Sequence, residues 1–174
     1  DADPQGNTTT GYGISKRDVA FSSYDLLVSG AHAKDAVIAT EFKNVSVIPA
    51  NMDLAGAEVE LIEIQKRESQ LKTALALIRD DYDYIFIDCP PSLGLITVNA
   101  LTAADSFLVP MQCEYYAMEG LSQLIATVKR IKSGYNPDIV LEGILLTMFD
   151  GRLNLTQQVV GEIKKFFPKE LYKT

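Results

Sequence analysis

The chain has 174 residues, of which 47% are hydrophobic and 22% charged, as is typical of one soluble globular domain. Its 11 glycines and 7 prolines exclude a collagen-like or low-complexity chain. Two cysteines are too few for a disulfide scaffold, which favours free thiols in a reducing cytosol.

The net charge of −7 is spread unevenly. Residues 1–125 carry 8 basic and 18 acidic side chains, whereas residues 126–174 carry 8 basic and 5 acidic ones. The acidic chain as a whole disfavours broad affinity for nucleic acids, but its basic last quarter could contact an anion locally.

A single histidine, His32, disfavours histidine-based zinc sites and catalysis. No segment has the ~20 apolar residues of a membrane span.

The first half of the chain alternates strand and helix patterns. Val45–Pro49 predicts a short strand, and Leu54–Ile62 and Leu71–Ile78 carry apolar residues at helical spacing. Tyr84–Ile87 is a continuous β-rich apolar run, which predicts a central parallel strand buried on both faces. Leu95–Ala104 predicts the next helix.

The second half continues the alternation. Ser106–Pro110 predicts a strand, and Glu114–Lys132 is the clearest helix, with Gly134 as the residue expected to follow its end. A strand is predicted over Gly143–Phe149.

A final helix is predicted with Asn154 as its N-cap and Gln157 in a capping-box arrangement. The whole alternation predicts an α/β fold, with a mostly parallel sheet and helices on both faces. In such sheets ligands bind beyond the carboxyl ends of the strands, so chemistry is expected just after the predicted strands and at the start of the chain.

Asp88 is the first candidate site residue. It follows four apolar residues in the pattern of a Walker B strand, whose carboxylate holds Mg²⁺ through water. Pro90 and Pro91 fix a rigid loop beside it. A simple acid at a strand end is the alternative interpretation.

Asp1 and Asp3 form the second candidate. Two acids at alternate positions look like a strand end, where a carboxylate could orient an attacking water in phosphoryl transfer. An ordinary Asp-Pro turn is an open alternative. No phosphate-binding loop is found, because Gly6 and Gly11 have the spacing of G-x-x-x-x-G-K-[ST] but Tyr12 stands where lysine is required.

Five blocks of sequence resemble, in order, the ParA/Soj family of chromosome- and plasmid-partitioning ATPases, which are P-loop NTPases with a deviant Walker A motif. The first is similar to the signature D-x-D-P-Q-G-N-x-T, and the blocks are Asp1–Thr9, Ile48–Glu58, Ile87–Gly94, Val109–Leu121 and Leu146–Arg152. The family's K-G-G-x-G-K-T loop and its V-I-P-R-N segment have no counterpart. Residues 1–174 are therefore expected to form a single α/β ATPase domain that is incomplete at both ends.

The resemblance implies ATP and Mg²⁺ as cofactors and suggests roles for individual residues. Asp3 resembles the acid that positions the hydrolytic water, and Asp88 resembles the Walker B acid on Mg²⁺. Three neighbours occupy the region that approaches the adenine: Met148, Phe149 and Asp150. Gly94 lies in what would be the switch II loop.

The implied function is DNA partitioning by an ATP-hydrolysing homodimer with a ParB-like centromere-binding partner. Arg152 resembles an arginine implicated in contact with DNA of any sequence. The expected location is the cytoplasm, on the nucleoid and without membrane contact. Two alternatives stay open, a MinD-like membrane-surface positioning ATPase and a non-catalytic α/β fragment. Because the phosphate loop is missing, this chain alone is expected to be inactive.

Overall fold

The computed structural model describes residues 1–173, which form two compact units. The first unit runs from Asp1 to Ala104, and the second begins at Asp105. Each unit has a hydrophobic core of its own. None of the helices in residues 1–173 is long and apolar enough to cross a lipid bilayer.

The first unit is mainly helical. Its helices are α1 (Asn7–Gly11), a π-helical turn (Asp25–Ser29), α2 (Ala33–Ala36), α3 (Leu54–Glu60), the 3₁₀ turns Leu61–Glu63 and Arg67–Ser69, α4 (Gln70–Leu75), the 3₁₀ turn Arg79–Asp81 and α5 (Leu95–Ala103). Two short strands, β1 (Ile38–Ala39) and β2 (Ser46–Val47), pair in antiparallel fashion. The strand predicted near residue 47 is therefore real but only two residues long.

Helices α3, α4 and α5 supply most of the first core. Leu54, Leu71 and Ile96 are buried in one cluster. Asn99 is a buried polar side chain, whose Oδ1 accepts from the Leu71 N–H at 3.1 Å and whose Nδ2 donates to the Arg67 carbonyl at 2.7 Å. A buried amide without partners costs roughly 1–3 kcal/mol, so these bonds fix α5 against the start of α4.

The second unit has the order β–α–β–α. Its elements are β3 (Ser106–Gln112), α6 (Ala117–Gly134), β4 (Val140–Thr147) and α7 (Asn154–Phe166). The strands β3 and β4 are parallel, with Val109 opposite Ile144. Parallel strands need a crossover, which α6 provides. The predicted α/β class with a parallel sheet is confirmed.

One face of the parallel pair carries the second core. Both strands and both helices contribute buried side chains to it: Val109, Met111, Leu121, Ile144, Leu146, Val159 and Ile163. Leu121 of α6 and Val159 and Ile163 of α7 face this core, whereas Leu155 and Phe166 of α7 are exposed. Leu108, at an alternate position of β3, is exposed.

The chain returns to β4 near its end. The Ile144 N–H donates to the Glu170 carbonyl at 2.7 Å, the Tyr172 N–H donates to the Ile144 carbonyl at 3.0 Å, and Leu171 forms a parallel bridge with Ile144. Gly143 makes this approach possible, because a β-carbon there would lie 2.4 Å from the Tyr172 ring and 2.9 Å from the Glu170 carbonyl oxygen. Strand β4 thus has parallel neighbours on both edges.

The segment Tyr84–Ile87 is not a regular strand, and the prediction of a strand buried on both faces is wrong. Tyr84 and Phe86 are 81% and 88% exposed, and Ile85 is exposed too, whereas Ile87 packs against the first core. An apolar run indicates which side chains can be buried, but a strand also needs backbone partners along its length. No strand among residues 1–173 pairs with this segment.

Two predicted helix ends are also corrected. Gly134 lies inside α6, and Tyr135 follows as its cap. Asn154 is the first helical residue of α7 rather than its N-cap, which is Leu153. The Gln157 side chain donates to the Gly151 carbonyl at 2.9 Å, so this helix start is held by the preceding turn and not by a capping box.

Candidate functional site

The Asp3 carboxylate is held by a tight turn. Its Oδ1 accepts from the Gln5 N–H at 2.9 Å, and the Asp3 carbonyl accepts from the Gly6 N–H at 2.8 Å. Gly6 has a φ of +61°, and a β-carbon there would lie 2.8 Å from the Ala50 carbonyl oxygen. Both the backbone conformation and the available space therefore require glycine at this position.

Asp1 has a different environment from Asp3. Its Oδ2 accepts from the Thr9 N–H at 2.8 Å and from the Thr9 hydroxyl at 2.7 Å. Thr9 is fully buried, and its Oγ1 also accepts from the Ala50 N–H at 2.9 Å. Asp1 therefore connects the opening turn to α1 and, through Thr9, to the loop after β2. The Asp3 carboxylate accepts fewer hydrogen bonds from the protein than the Asp1 carboxylate does.

Asp88 lies beside this opening turn. The Ala2 N–H donates to the Asp88 carbonyl at 2.8 Å, and the Thr8 hydroxyl donates to Asp88 Oδ2 at 2.5 Å. Two segments about eighty residues apart are thereby joined through backbone and side chain. The Asp88 side chain remains exposed and so is accessible to a ligand.

The Cys89 thiol lies next to Asp88, and its pKa reflects the burial and the charges around it. Burial raises the pKa of its thiol to about 11, and the negative charges of Asp88 and then Asp3 act in the same direction. The thiol is protonated at neutral pH, which makes Cys89 a packing residue rather than a nucleophile.

The donor set at Asp88 fits Mg²⁺. Residues 1–173 contain no cluster of three or more His, Cys, Asp or Glu side chains that could hold a metal ion. Mg²⁺ does not need such a cluster, because it keeps several waters and takes one or two carboxylates together with phosphate oxygens. An exposed Asp88 carboxylate beside the Thr8 hydroxyl meets that requirement.

The residues after β4 have an unusual backbone. Met148 has a φ of +50°, which is rare for a residue other than glycine, and its side chain is 84% exposed. Phe149 follows and is also exposed. Sparsely populated backbone conformations cluster at functional sites, and this one lies at the carboxyl end of a parallel strand.

Asp150 and Arg152 form a bidentate ion pair. Arg152 Nε donates to Asp150 Oδ1 at 2.9 Å, and Nη2 donates to Oδ2 at 2.7 Å. These hydrogen bonds lower the pKa of Asp150 and raise that of Arg152. The Arg152 side chain is 90% exposed, so the guanidinium faces solvent while it is paired.

The candidate residues divide between the two units. Asp3 and Asp88 lie in the first unit, and the residues from Met148 to Arg152 lie in the second. Sequence reasoning missed Thr8, because it occupies the variable position of the signature and only the fold places its hydroxyl on Asp88. It also gave no role to Glu58, whose carboxylate contacts the start of α5.

Comparison with known proteins gives a consistent result. Residues 1–141 match a family model described as an AAA domain. The sporulation initiation inhibitor protein Soj of Bacillus subtilis is 55% identical over 174 residues, which cover 100% of this chain and 69% of Soj. The chromosome partitioning protein ParA of Myxococcus xanthus is 50% identical, over 99% of this chain and 61% of that protein. The chain thus spans about two thirds of the length of these relatives.

A solved structure shares the fold. The cobyrinic acid a,c-diamide synthase of Mycobacterium smegmatis, crystallised with an ATP analogue and magnesium, superposes with a TM-score of 0.88 at 37% identity. The match covers 95% of this chain and 68% of that one. The parallel β–α–β fold and this structural match place the chain in the α/β P-loop ATPase class. Within that class, the chain belongs to the ParA/Soj family of partitioning ATPases.

Proposed function

We propose that the protein is a Mg²⁺-dependent ATPase that partitions a chromosome or plasmid as a nucleotide-switched homodimer. One observation carries the proposal: the Asp88 carboxylate stands exposed beside the turn that holds Asp3. Hydrolysis of a phosphoanhydride by water needs both an acid for the metal and an acid for the nucleophile. The ATP analogue and magnesium bound to the solved structure described above support binding of nucleotide and Mg²⁺.

The two acids have separate tasks in this proposal. Asp88 would hold a Mg²⁺ ion through water, and the ion would neutralise charge on the phosphates. Asp3 orients the attacking water and accepts its hydrogen bond, with its carboxylate fixed by the Gln5 N–H. Thr8 holds one oxygen of Asp88 and so limits the orientations of that carboxylate.

The remaining parts of the proposal concern the second unit and the partners. The exposed Met148 and Phe149 and the partly buried Asp150 form part of the adenine surroundings, and Arg152 contacts DNA phosphates without reading sequence. A ParB-like protein stimulates turnover, and the protein acts in the cytoplasm on the nucleoid. The relatives named for chromosome partitioning support these assignments.

The experiment is a comparison of Asp3→Ala and Asp88→Ala in the complete protein. Asp3→Ala should lower the rate of ATP hydrolysis by about 100-fold or more, since general-base positioning contributes ~10²–10⁴. It should leave ATP binding nearly intact. Asp88→Ala should instead weaken Mg²⁺-dependent nucleotide binding. Hydrolysis is measured by phosphate release and binding by calorimetry.

Glu41→Ala is the matched control, because Glu41 is an exposed acid in the loop between β1 and β2. It should hydrolyse ATP at the original rate. Unchanged turnover in Asp3→Ala would remove Asp3 from its role, and Mg²⁺-independent binding in the original protein would remove Asp88.

A further inference from the structure

Glu58 caps a helix to which it is not adjacent in sequence. It lies on α3, and its carboxylate accepts from the Leu95 N–H at 2.7 Å and from the Ile96 N–H at 3.2 Å. These are the first two residues of α5, whose N–H groups have no partner within the helix. A carboxylate at this position also interacts favourably with the helix dipole.

Gly94 leaves room for the Glu58 carboxylate because it has no β-carbon. A β-carbon at Gly94 would lie 2.3 Å from Glu58 Oε1 and 2.6 Å from Oε2. The φ of Gly94 is −82°, an ordinary value for any residue. Gly94 is therefore needed for space and not for backbone freedom, and the residue it makes space for is Glu58.

The contact fixes one end of a loop whose other end is the candidate metal acid. The loop runs from Asp88 to Gly94 and leads directly into α5. Its first end is bonded to Ala2 and Thr8. With Glu58 on its last end, the loop is fastened on both sides.

We propose that Glu58 is a positioning residue for the Asp88 loop: by holding Gly94 and the start of α5, it sets where the Asp88 carboxylate stands. Glu58 itself touches neither nucleotide nor metal in this proposal. The inference rests on the proposed function, because the consequence of moving Asp88 is read through Mg²⁺-dependent ATP hydrolysis.

The first experiment compares Glu58→Gln with the original in the complete protein. Glutamine keeps the size of the side chain but replaces one of the two accepting oxygens with an N–H₂ group, which cannot accept from a backbone N–H. We expect the kcat for ATP hydrolysis to fall about tenfold or more and the Mg²⁺ concentration for half-maximal rate to rise. The matched control is Glu60→Gln, two residues along the same helix, where the carboxylate accepts from the exposed Tyr24 hydroxyl instead.

The control should keep the original kcat and Mg²⁺ dependence. If Glu58→Gln only lowers the unfolding midpoint and leaves the Mg²⁺ dependence unchanged, Glu58 is a structural cap and the proposal is wrong. If Glu60→Gln shifts the Mg²⁺ dependence as much as Glu58→Gln, the effect is one of general charge and the proposal is also wrong.

The second experiment is a double-mutant cycle of Glu58→Ala and Gly94→Ala. Gly94→Ala should lower both activity and the unfolding midpoint when Glu58 is present, because its methyl group collides with the carboxylate. In the Glu58→Ala background it should add less than about a twofold further loss, because the collision is gone. An equal cost in both backgrounds would show that Gly94 serves loop flexibility and would overturn the proposal.

The two experiments separate this inference from the proposed function. If the complete protein hydrolyses no ATP, the proposed function fails, and the cycle measured on urea unfolding still tests the contact between Glu58 and Gly94. If the protein is an active ATPase and the cycle is additive, the positioning role fails alone.

Discussion

The charge of Arg152 is already engaged within its own turn. The guanidinium is bonded twice by Asp150, and the Arg152 N–H donates to the same carboxylate at 3.0 Å. A DNA phosphate that binds Arg152 must therefore compete with Asp150. Because the pair is exposed, this competition is modest and depends on salt concentration.

We predict opposite effects for the two residues in the ATP-bound complete protein. Arg152→Ala should weaken DNA binding similarly for all sequences and reduce the salt slope by about one. Asp150→Asn should strengthen binding by up to about fivefold, which corresponds to an exposed ion pair of ~1 kcal/mol. Binding is measured by fluorescence anisotropy over a range of salt concentrations.

The double variant supplies the control for this pair. With Arg152 replaced by alanine, Asp150→Asn should have little additional effect. Weaker binding in Asp150→Asn alone would contradict the prediction, because it would mean that Asp150 orients the guanidinium rather than competing for it.

Individual residues were predictable where a motif names them. The Asp-x-Asp-Pro signature and the apolar run before Asp88 led to the two acids before any geometry was known. The roles of Asp1, Thr8 and Glu58 were not predictable, because each acts on a backbone or side-chain atom that only the fold brings near. The identity of a single residue does not reveal which distant residue it contacts in the folded chain.

At the level of elements, Gly143 in β4 is the most constrained position of the second unit. Gly143→Ala should lower the free energy of unfolding by roughly 1–3 kcal/mol, because its β-carbon collides with a carbonyl oxygen that cannot move independently. The control is Gly161→Ala inside α7, where no atom beyond the helix's own backbone and the neighbouring residues lies within 4 Å of the added carbon. That change should stabilise the helix by about 0.5–1 kcal/mol.

Chemical unfolding monitored by circular dichroism distinguishes the two alanine variants. Equal stability of Gly143→Ala and the original chain would show that the Glu170–Tyr172 segment is not packed on β4 in solution.

Elements with strong periodicity were predicted well, and those that depend on a distant partner were not. The helices α3 and α4 follow from apolar residues at helical spacing, and β3 lies where a strand was predicted. Tyr84–Ile87 has an equally strong composition but no neighbouring strand in residues 1–173. The spacing of apolar residues is a property of one segment, whereas a strand also needs a second segment to pair with.

For the whole molecule, the distribution of charge governs ligand binding. The first unit carries 15 acidic and 8 basic residues, and the second carries 8 of each, so the net charge of −7 belongs to the unit with the two candidate acids. Without a cationic phosphate loop in the sequence, these carboxylates repel a polyanion.

We therefore predict that a polypeptide of residues 1–174 neither hydrolyses ATP nor binds it at micromolar concentrations. Most of the affinity for a triphosphate comes from loop amides, the loop lysine and Mg²⁺ held by the loop hydroxyl. Calorimetric titration with Mg·ATP tests this. Micromolar binding to residues 1–174 would contradict it.

For the whole chain, the α/β fold class was predictable from the sequence, but the division into two compact units was not. Alternating patterns are typical of α/β folds, and the parallel pairing of β3 and β4 confirms the class. The separation into two compact units after Ala104 left no mark in the sequence, because no proline- or glycine-rich linker stands there. That the chain is one domain stays a prediction.

The position of β4 between two parallel neighbours also has a consequence for hydrogen exchange. Ile144 gives its amide proton to Glu170, so that proton exchanges with solvent only when the last segment leaves the strand. Protection at this single amide is therefore a spectroscopic reporter of whether the chain's end is docked. In a deuterium-exchange experiment the Ile144 amide would follow that local opening, while its neighbours bonded to β3 would follow the opening of the sheet.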